Sequence, residues 1–454
     1  MKKKLISVAT LIFVGFSALA GGVITNTNQS AQFVRMASRS ASLDDDAVYF
    51  NPAATAFFDD GFHISYGHQI CMQKRTTTDD FPTLNRNKYE GRIFVPAYPT
   101  LHTTWKKNNL AISFGFGPNG GGGSATYDNG LASFERAISL LPGSLTAGGI
   151  KTTAYKADIS FEGGSILYGG QLGAAYSLLG GKLAASLGAR FIYQRNTYQG
   201  SIKNIQINPD MSAINPTMGL DGSTFISAQQ FFTAIGKTAQ ADAVADKEVD
   251  AVQTGFGVAP ILGFDFKPID KLNIGLKYEF KTNMELTNDT KKDDTGMFTD
   301  DSSFHKDIPA ILSLGVGYNV SDKFHTQLSY TYYFDKQSNW EGREDLMDGN
   351  TMDIALGLEY DLLPILTLST GYCRSISGSS PNFQSDMDYA LSSNAVGFGG
   401  QFKFTQKLKV DFGFMFVSYD EDEKTSTDAT SGISHTETFA RNNKLFTVGL
   451  SYAF

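Results

Sequence analysis

The sequence is poor in the features that mark soluble enzymes and nucleic-acid binders. Only two cysteines, Cys71 and Cys373, occur in 454 residues. Their spacing fits no metal motif, and both read as structural. Proline is scarce, with 13 residues, and no linker or shift in composition follows residue 58. One large β unit is therefore a simpler reading than several domains, which this length would otherwise favour. No basic excess is present: the net charge of −8 gives no footprint for nucleic acid. Beyond residue 20 no apolar run is long enough for a helical membrane span. The histidines are His63, His68, His102, His305, His325 and His435, and none sits in a recognisable catalytic motif. No enzyme activity, cofactor or metal is expected.

Glycine, phenylalanine and tyrosine are plentiful, at 46, 35 and 20 residues. At the N-terminus, Lys2, Lys3 and Lys4 precede an apolar run from Leu5 to Leu19, followed by Ala20 and Gly21. This predicts a signal peptide over residues 1–20. The run is short for a membrane anchor. No cysteine stands at the cleavage point, so a lipid anchor is not expected.

Most of the remaining chain alternates with a period of two. Leu272, Ile274, Leu276, Tyr278 and Phe280 oppose Asn273, Lys277, Glu279 and Lys281. Met352, Ile354, Leu356, Leu358 and Tyr360 oppose Asp353, Glu359 and Asp361. Such strands have one wet and one apolar face. In a soluble sandwich the apolar faces would pack together; in a membrane barrel they face lipid and the polar faces line the lumen. The connections favour the barrel. Short turns at 106–109, 180–181, 267–270, 321–322, 361–364 and 405–407 alternate with long polar loops at 74–92, 119–154, 206–250, 289–303, 338–350, 376–390 and 421–440. About fourteen strands result, an even number as such barrels require. In the last of them Phe446, Val448, Leu450, Tyr452 and Phe454 share one face. A terminal aromatic at an outward position resembles the signature by which outer-membrane barrels are recognised by their assembly machinery.

Ahead of this β body, residues 30–58 are too polar for a strand and too rich in Ala, Ser and Asp for a core helix. Asn51-Pro52-Ala53 stops regular structure there. The expected organisation is a plug over residues 21–58 and a transmembrane barrel over 59–454. Asp44-Asp45-Asp46 followed by Asn51-Pro52-Ala53, the run FGFGPNGGGGSATYDNGL from Phe114, and the closing SYAF together resemble the FadL/TodX family of outer-membrane transporters. Those proteins carry long-chain fatty acids and other hydrophobic compounds. The resemblance spans nearly the whole mature chain. It implies an all-β barrel of fourteen strands around an N-terminal hatch, and a kinked third strand that opens a lateral gap at Pro118, Gly120, Gly121, Gly122 and Gly123. Physical reasoning agrees. So wide a barrel needs a plug or becomes a water channel, and Pro118 with four successive glycines is poor material for a strand. A flexible loop is the plainer reading of that run.

In the long loop at 206–250, Phe225, Phe231, Phe232 and Ile235 have helical spacing and form an apolar cluster. The resemblance implies initial capture of ligand there; packing of the loop on its neighbours is the alternative. Arg190, Arg195 and Lys277 are candidates for a ligand head group. Arg195 has the wrong parity unless a bulge intervenes, and luminal cations also pair with acids such as Glu279 or Glu359. The expected function is passive transport of long-chain fatty acids or other hydrophobic molecules by a monomer in contact with outer-membrane lipid. The competing classes are a lipid-modifying outer-membrane enzyme and an adhesin or structural barrel.

Overall fold

Period-two alternation demands an extended chain with unlike faces, and a sheet of such strands hides its edges by closing on itself. That is the architecture of the computed structural model, which describes residues 23–454. The expected signal peptide lies outside the described residues. The wall strands, numbered β1 to β14, are Gly61–Asp79, Lys88–Lys107, Leu110–Tyr127, Lys151–Leu178, Leu183–Asp210, Lys247–Ile269, Leu272–Glu279 continued by Glu285–Asp293, Ser303–His305 continued by Ile311–Asn319, Phe324–Tyr333, Met352–Leu363, Leu366–Ile376, Ser393–Lys403, Leu408–Tyr419 continued by Asp422–Thr427, and Ser434–Ala453. They form a closed antiparallel barrel of 14 strands, sealed where β1 pairs with β14. No described helix is long and apolar enough to cross a membrane.

The apolar faces point out. On β14, Phe446, Val448 and Leu450 are 46%, 58% and 49% exposed, while Leu445, Thr447 and Ser451 are buried. The short turns lie where the sequence places them. Five of the seven long loops are shorter than expected, because their strands run on past any membrane; the other two, expected at 338–350 and 376–390, span 334–351 and 377–392. β4 and β5 have 28 residues each, against about 9–11 for a tilted span. Beyond the lipid both faces of a strand are polar, so the ladder continues while the alternation that reveals it is lost.

Residues 23–58 lie inside the ring. Helix Ala31–Met36 is capped by Ser30, whose Oγ accepts from Phe33 N at 2.9 Å, and it ends at Ala37 in the left-handed region (φ 63). A short helix, Ala47–Phe50, and a 3-10 turn, Pro52–Phe57, follow. Glycines on the inner wall receive this segment. An added Cβ would lie 2.4 Å from Ser40 O at Gly275, 2.3 Å from Ala41 N at Gly315, 1.5 Å from Met36 O at Gly371 and 2.3 Å from Val34 O at Gly397. The wall thus meets the segment backbone to backbone along β7, β8, β11 and β12.

Candidate functional site: the filled lumen and the break between two strands

The segment is pinned to opposite sides of the wall by charge. Buried Arg35 donates from Nε to Asp411 Oδ1 on β13 at 2.9 Å and from a terminal nitrogen to Glu359 on β10. Gln32 Nε2 donates to Asp411 Oδ2 at 3.0 Å. Across the lumen Asn51 Nδ2 donates to Asp265 on β6, and Pro52 and Ala53 rest over Gly263 of the same strand. Gln171 Nε2 of β4 donates to Val48 O at 2.6 Å, and Lys277 Nζ of β7 to Tyr49 O at 3.0 Å.

The acidic run finds its cation within the segment, in Arg39. Asp46 accepts from Arg39 Nε at 2.9 Å and a terminal Arg39 nitrogen at 2.8 Å, and from Ser30 Oγ at 2.8 Å. Asp44 accepts from Arg39 at 2.7 Å. Burial alone would raise Asp44, but Arg39, Lys409 and Arg35 hold its carboxyl well below the usual carboxylate range. Asp45 turns the other way and lies 3.9 Å from His63 Nδ1. Burial and the neighbouring Asp44 push its carboxyl up to about 6.

The run from Pro118 to Gly123 is only half unpaired. The kinked third strand implied by the resemblance suggests a plain interruption of pairing. Instead β3 keeps its ladder with β4 throughout, absorbing the run in two register shifts, at Pro118/Gly120 and Gly121/Gly123. The positive φ of Gly121 (63) and Gly122 (138) makes those shifts possible. On the other side the β2–β3 ladder lapses between Leu101↔Phe116 and Arg92↔Thr126. β2 carries Pro96 and Pro99 in this interval. Each lacks a donor, so neither strand can complete the ladder. The segment supplies the partners. Thr25 bridges to Gly120. Asn26 N donates to Asn119 O at 2.8 Å and Asn26 Nδ2 to Gly121 O at 2.6 Å. Gln29 Nε2 and the Tyr98 hydroxyl both donate to Pro118 O.

The aromatic loop is packed, not presented. Phe231 and Phe232 sit in helix Ala228–Ala234 and are buried with Ile138, Leu145, Tyr155 and Met211. Phe225 lies under Lys156 Nζ, 4.1 Å from its ring centre, and Ile235 is half-buried against the same cluster. The partner is the pair of helices Ala132–Ser139 and Leu141–Ala147 from the loop before β4. Reading each loop alone hides this mutual burial, so the expected exposed patch is absent.

Of the head-group candidates, Arg190 is buried, 3.2 Å from Glu279, with its guanidinium 4.1 Å from the Tyr49 ring centre. Lys277 shares these neighbours. Arg195 is exposed on the outer face, because the β4–β5 register runs unshifted from Arg190 to Arg195 and no bulge corrects its parity. Another basic pair lies in the lumen. Arg75 of β1 and Arg441 of β14 stand directly opposite each other. Their guanidinium groups lie 4.1 Å and 5.0 Å from the same Tyr389 ring, and Arg441 donates to Tyr389 O at 2.7 Å. Tyr127, Tyr198, Tyr419 and Phe439 belong to the surrounding cluster.

The sequence profile of the family described as outer membrane protein transport protein (OMPP1/FadL/TodX) matches residues 183–454. The chain belongs to that family. No curated protein matches it in sequence. Among solved structures, a FadL homologue of Pseudomonas aeruginosa is 15% identical with a TM-score of 0.63, over 96% of this chain and 100% of that one. The P. putida toluene transporter TodX is 16% identical with a TM-score of 0.55, over 97% and 99%. The Ralstonia pickettii toluene transporter TbuX is 13% identical with a TM-score of 0.53, over 97% and 98%.

As a FadL/TodX family member the protein is an outer-membrane barrel of a hydrophobic-compound transport family, not an enzyme. Its lumen is filled in this conformation. The cavity between the segment and β7–β11, lined by Phe33, Tyr49, Lys277, Tyr333 and Asp353 among others, measures about 40 Å³. That is room for water, not for a hydrophobic ligand. The Arg75–Arg441 pair was legible in principle. Alternation carried back from Phe446 puts Arg441 with Leu445 on the inner face, and the same count along β1 puts Arg75 with Cys71. Their polar surroundings there gave no apolar face to start the count.

Proposed function

We propose that the protein is a passive route for long-chain fatty acids or similar anionic amphiphiles across the outer membrane, with lateral exit between β2 and β3. The observation that carries this reading is the break itself. Its carbonyl oxygens at Pro118, Asn119 and Gly121 accept from segment residues 26 and 29 and from the side-chain hydroxyl of Tyr98, not from the backbone of β2. A carbonyl left without a donor in hydrocarbon costs several kcal/mol. Withdrawal of Thr25 to Gln29 therefore requires a replacement, and water or a ligand head group entering the break supplies one. An acyl chain leaving there goes into lipid without crossing the periplasmic water. The residues 23–58 act as a hatch in this scheme, and a ligand gradient drives net flow.

Charge favours an anionic head. Arg75 and Arg441 face each other within an aromatic wall, where two guanidinium groups offer a carboxylate fixed, charge-assisted donors. TodX and TbuX are named as toluene transporters, and an uncharged aromatic ring has no use for two guanidinium groups. The Arg75 site lies between the outer loops and the seated hatch, on the path this reading requires.

A tether tests the exit. In a parent with Cys71 and Cys373 replaced by serine, Asn28→Cys and Gln69→Cys stand where side chains now meet at 2.8 Å. Oxidation should abolish uptake of a fluorescent long-chain fatty acid into proteoliposomes, and reduction should restore it. Uptake unaffected by a completed disulfide would overturn the hatch movement.

A further inference from the structure

The outer surface of β1, β2 and β14 carries an unbalanced group of cations. Lys74 and Arg92 are directly opposite each other on β1 and β2, and both point outward. Lys88 and Glu90 follow on β2, and Lys444 points outward on β14 opposite Met72. Lys74 Nζ and Lys88 Nζ lie 2.6 and 2.8 Å from Glu90, and Arg92 lies 3.9 Å from it. Three cations therefore surround one carboxylate, and Lys444 stands one outward position lower on β14. Asp80, just past the end of β1, accepts from Thr436 N at 2.6 Å; the next outward acids are Glu423, opposite Thr438 of β14, and Glu162, opposite Thr126 of β3. Some exposed basic residues elsewhere pair singly with acids, as in Arg374–Asp420 at 2.6 Å and Lys292–Asp294 at 2.7 Å.

The level of this group is set by its neighbours. Met72 and Phe94, the outward residues immediately below Lys74 and Arg92, are exposed and apolar. The cations thus stand at the upper rim of the lipid-facing band, where long basic side chains reach the head-group layer. Directly below Lys444 on β14 comes Phe446, which borders a crevice of about 350 Å³ on the outer wall. Its lining is almost wholly apolar: Ile70, Phe398, Phe412, Phe414, Phe446 and Val448, with His68 at one side and the bare backbones of Gly399 and Gly413.

A cationic group above an apolar crevice fits an amphiphile with an anionic head at the membrane surface and a chain in the bilayer. We propose that Lys74, Lys88 and Arg92 bind the phosphate of an outer-leaflet lipid, with Lys444 flanking the path to the crevice below, which one of its acyl chains fills. A phosphate monoester carries roughly −1.5 to −2 charges and three acceptor oxygens, which suits a group of cations better than a single carboxylate does. Glu90 Oε1 accepts from both lysine amines and draws them together beside Arg92. Arg92↔Thr126 is the first pair above the β2–β3 break, so the bound lipid stands at the mouth of the proposed exit. The binding itself does not depend on that exit being used.

The test uses the full-length protein in nanodiscs and native mass spectrometry. The probes are a phosphorylated outer-leaflet glycolipid and its phosphatase-treated form. The parent should retain the phosphorylated lipid. K74Q/K88Q/R92Q/K444Q should lower its retention about tenfold or more, while K203Q, a charge removed elsewhere on the outer surface, leaves it unchanged. All four positions are on the outer surface, and heat-modified gel mobility checks folding. The phosphatase-treated lipid, an arm that needs no variant, should bind the parent no better than the intact lipid binds the quadruple variant. Equal retention by parent and quadruple variant, or of both lipid forms, would overturn the proposal. Displacement of the lipid by millimolar inorganic phosphate alone would also overturn it, reducing the site to one for the free ion.

Discussion

Arg35 shows how a single side chain fixes the hatch. Its guanidinium bridges Asp411 and Glu359, which lie on strands three apart in the wall, and it is itself buried. Arg35→Ala would leave Asp411 buried without its cation, a loss of about 3–5 kcal/mol when one partner of a buried pair is removed. The expected result is a fully formed barrel whose segment is cut by added protease, where the parent resists. Asp45 acts differently. Its carboxyl, pushed up to about 6, holds its proton more tightly in the folded state than in the unfolded chain. Such a group adds stability at pH below the ordinary carboxylate value and loses that contribution as pH rises through about 6. Asp44, held low, works in the opposite sense and at more acid pH. Amide exchange at residues 43–50, corrected for intrinsic rate, should therefore quicken between about pH 4 and pH 6, and Asp45→Asn should flatten that rise. Arg75→Gln is expected to slow uptake of a long-chain fatty acid while uptake of its uncharged alcohol stays as in the parent. Equal slowing of both would assign Arg75 to the wall alone.

At the scale of elements, the strands were legible wherever one face meets lipid. From Phe446 onward β14 alternates as lipid requires, and its register with β1 follows. Where both faces are wet, as along β4 and β5 above the band, the same ladder leaves no periodic trace. Pro118 and the glycines pointed correctly to trouble in β3. They did not reveal that β2 supplies the other half of the break through Pro96 and Pro99, nor that glycine bulges preserve pairing with β4. The phenylalanines of 225–232 gave the right helix and the wrong exposure, since burial depends on a second helical pair nearly a hundred residues earlier. Phe231→Asp tests this burial. It places a charge among Ile138, Leu145 and Tyr155, so the outer helices should lose protection from exchange, while the barrel keeps its heat-resistant mobility.

For the whole molecule, the glycine seats explain why one short segment can fill so wide a ring. Where a side chain would stand, Gly275, Gly315, Gly371 and Gly397 let the hatch backbone approach within contact distance of β7, β8, β11 and β12. Gly315→Val should push the segment off that wall, with loss of protease resistance and no loss of the closed barrel. The seats also impose an order on assembly. The hatch precedes β1 in the chain, yet its clamp on Asp411 joins residues 379 positions apart. Contacts of such separation form late, and the seats on β11 and β12 do not exist until most of the wall is built. A refolding molecule must then pass through a stage in which the cylinder is closed and its bore is empty. That stage is electrically visible. In a planar bilayer each refolding molecule should give a burst of ion current that ends in a single step as the hatch seats, and a chain lacking residues 23–58 should conduct without that final step.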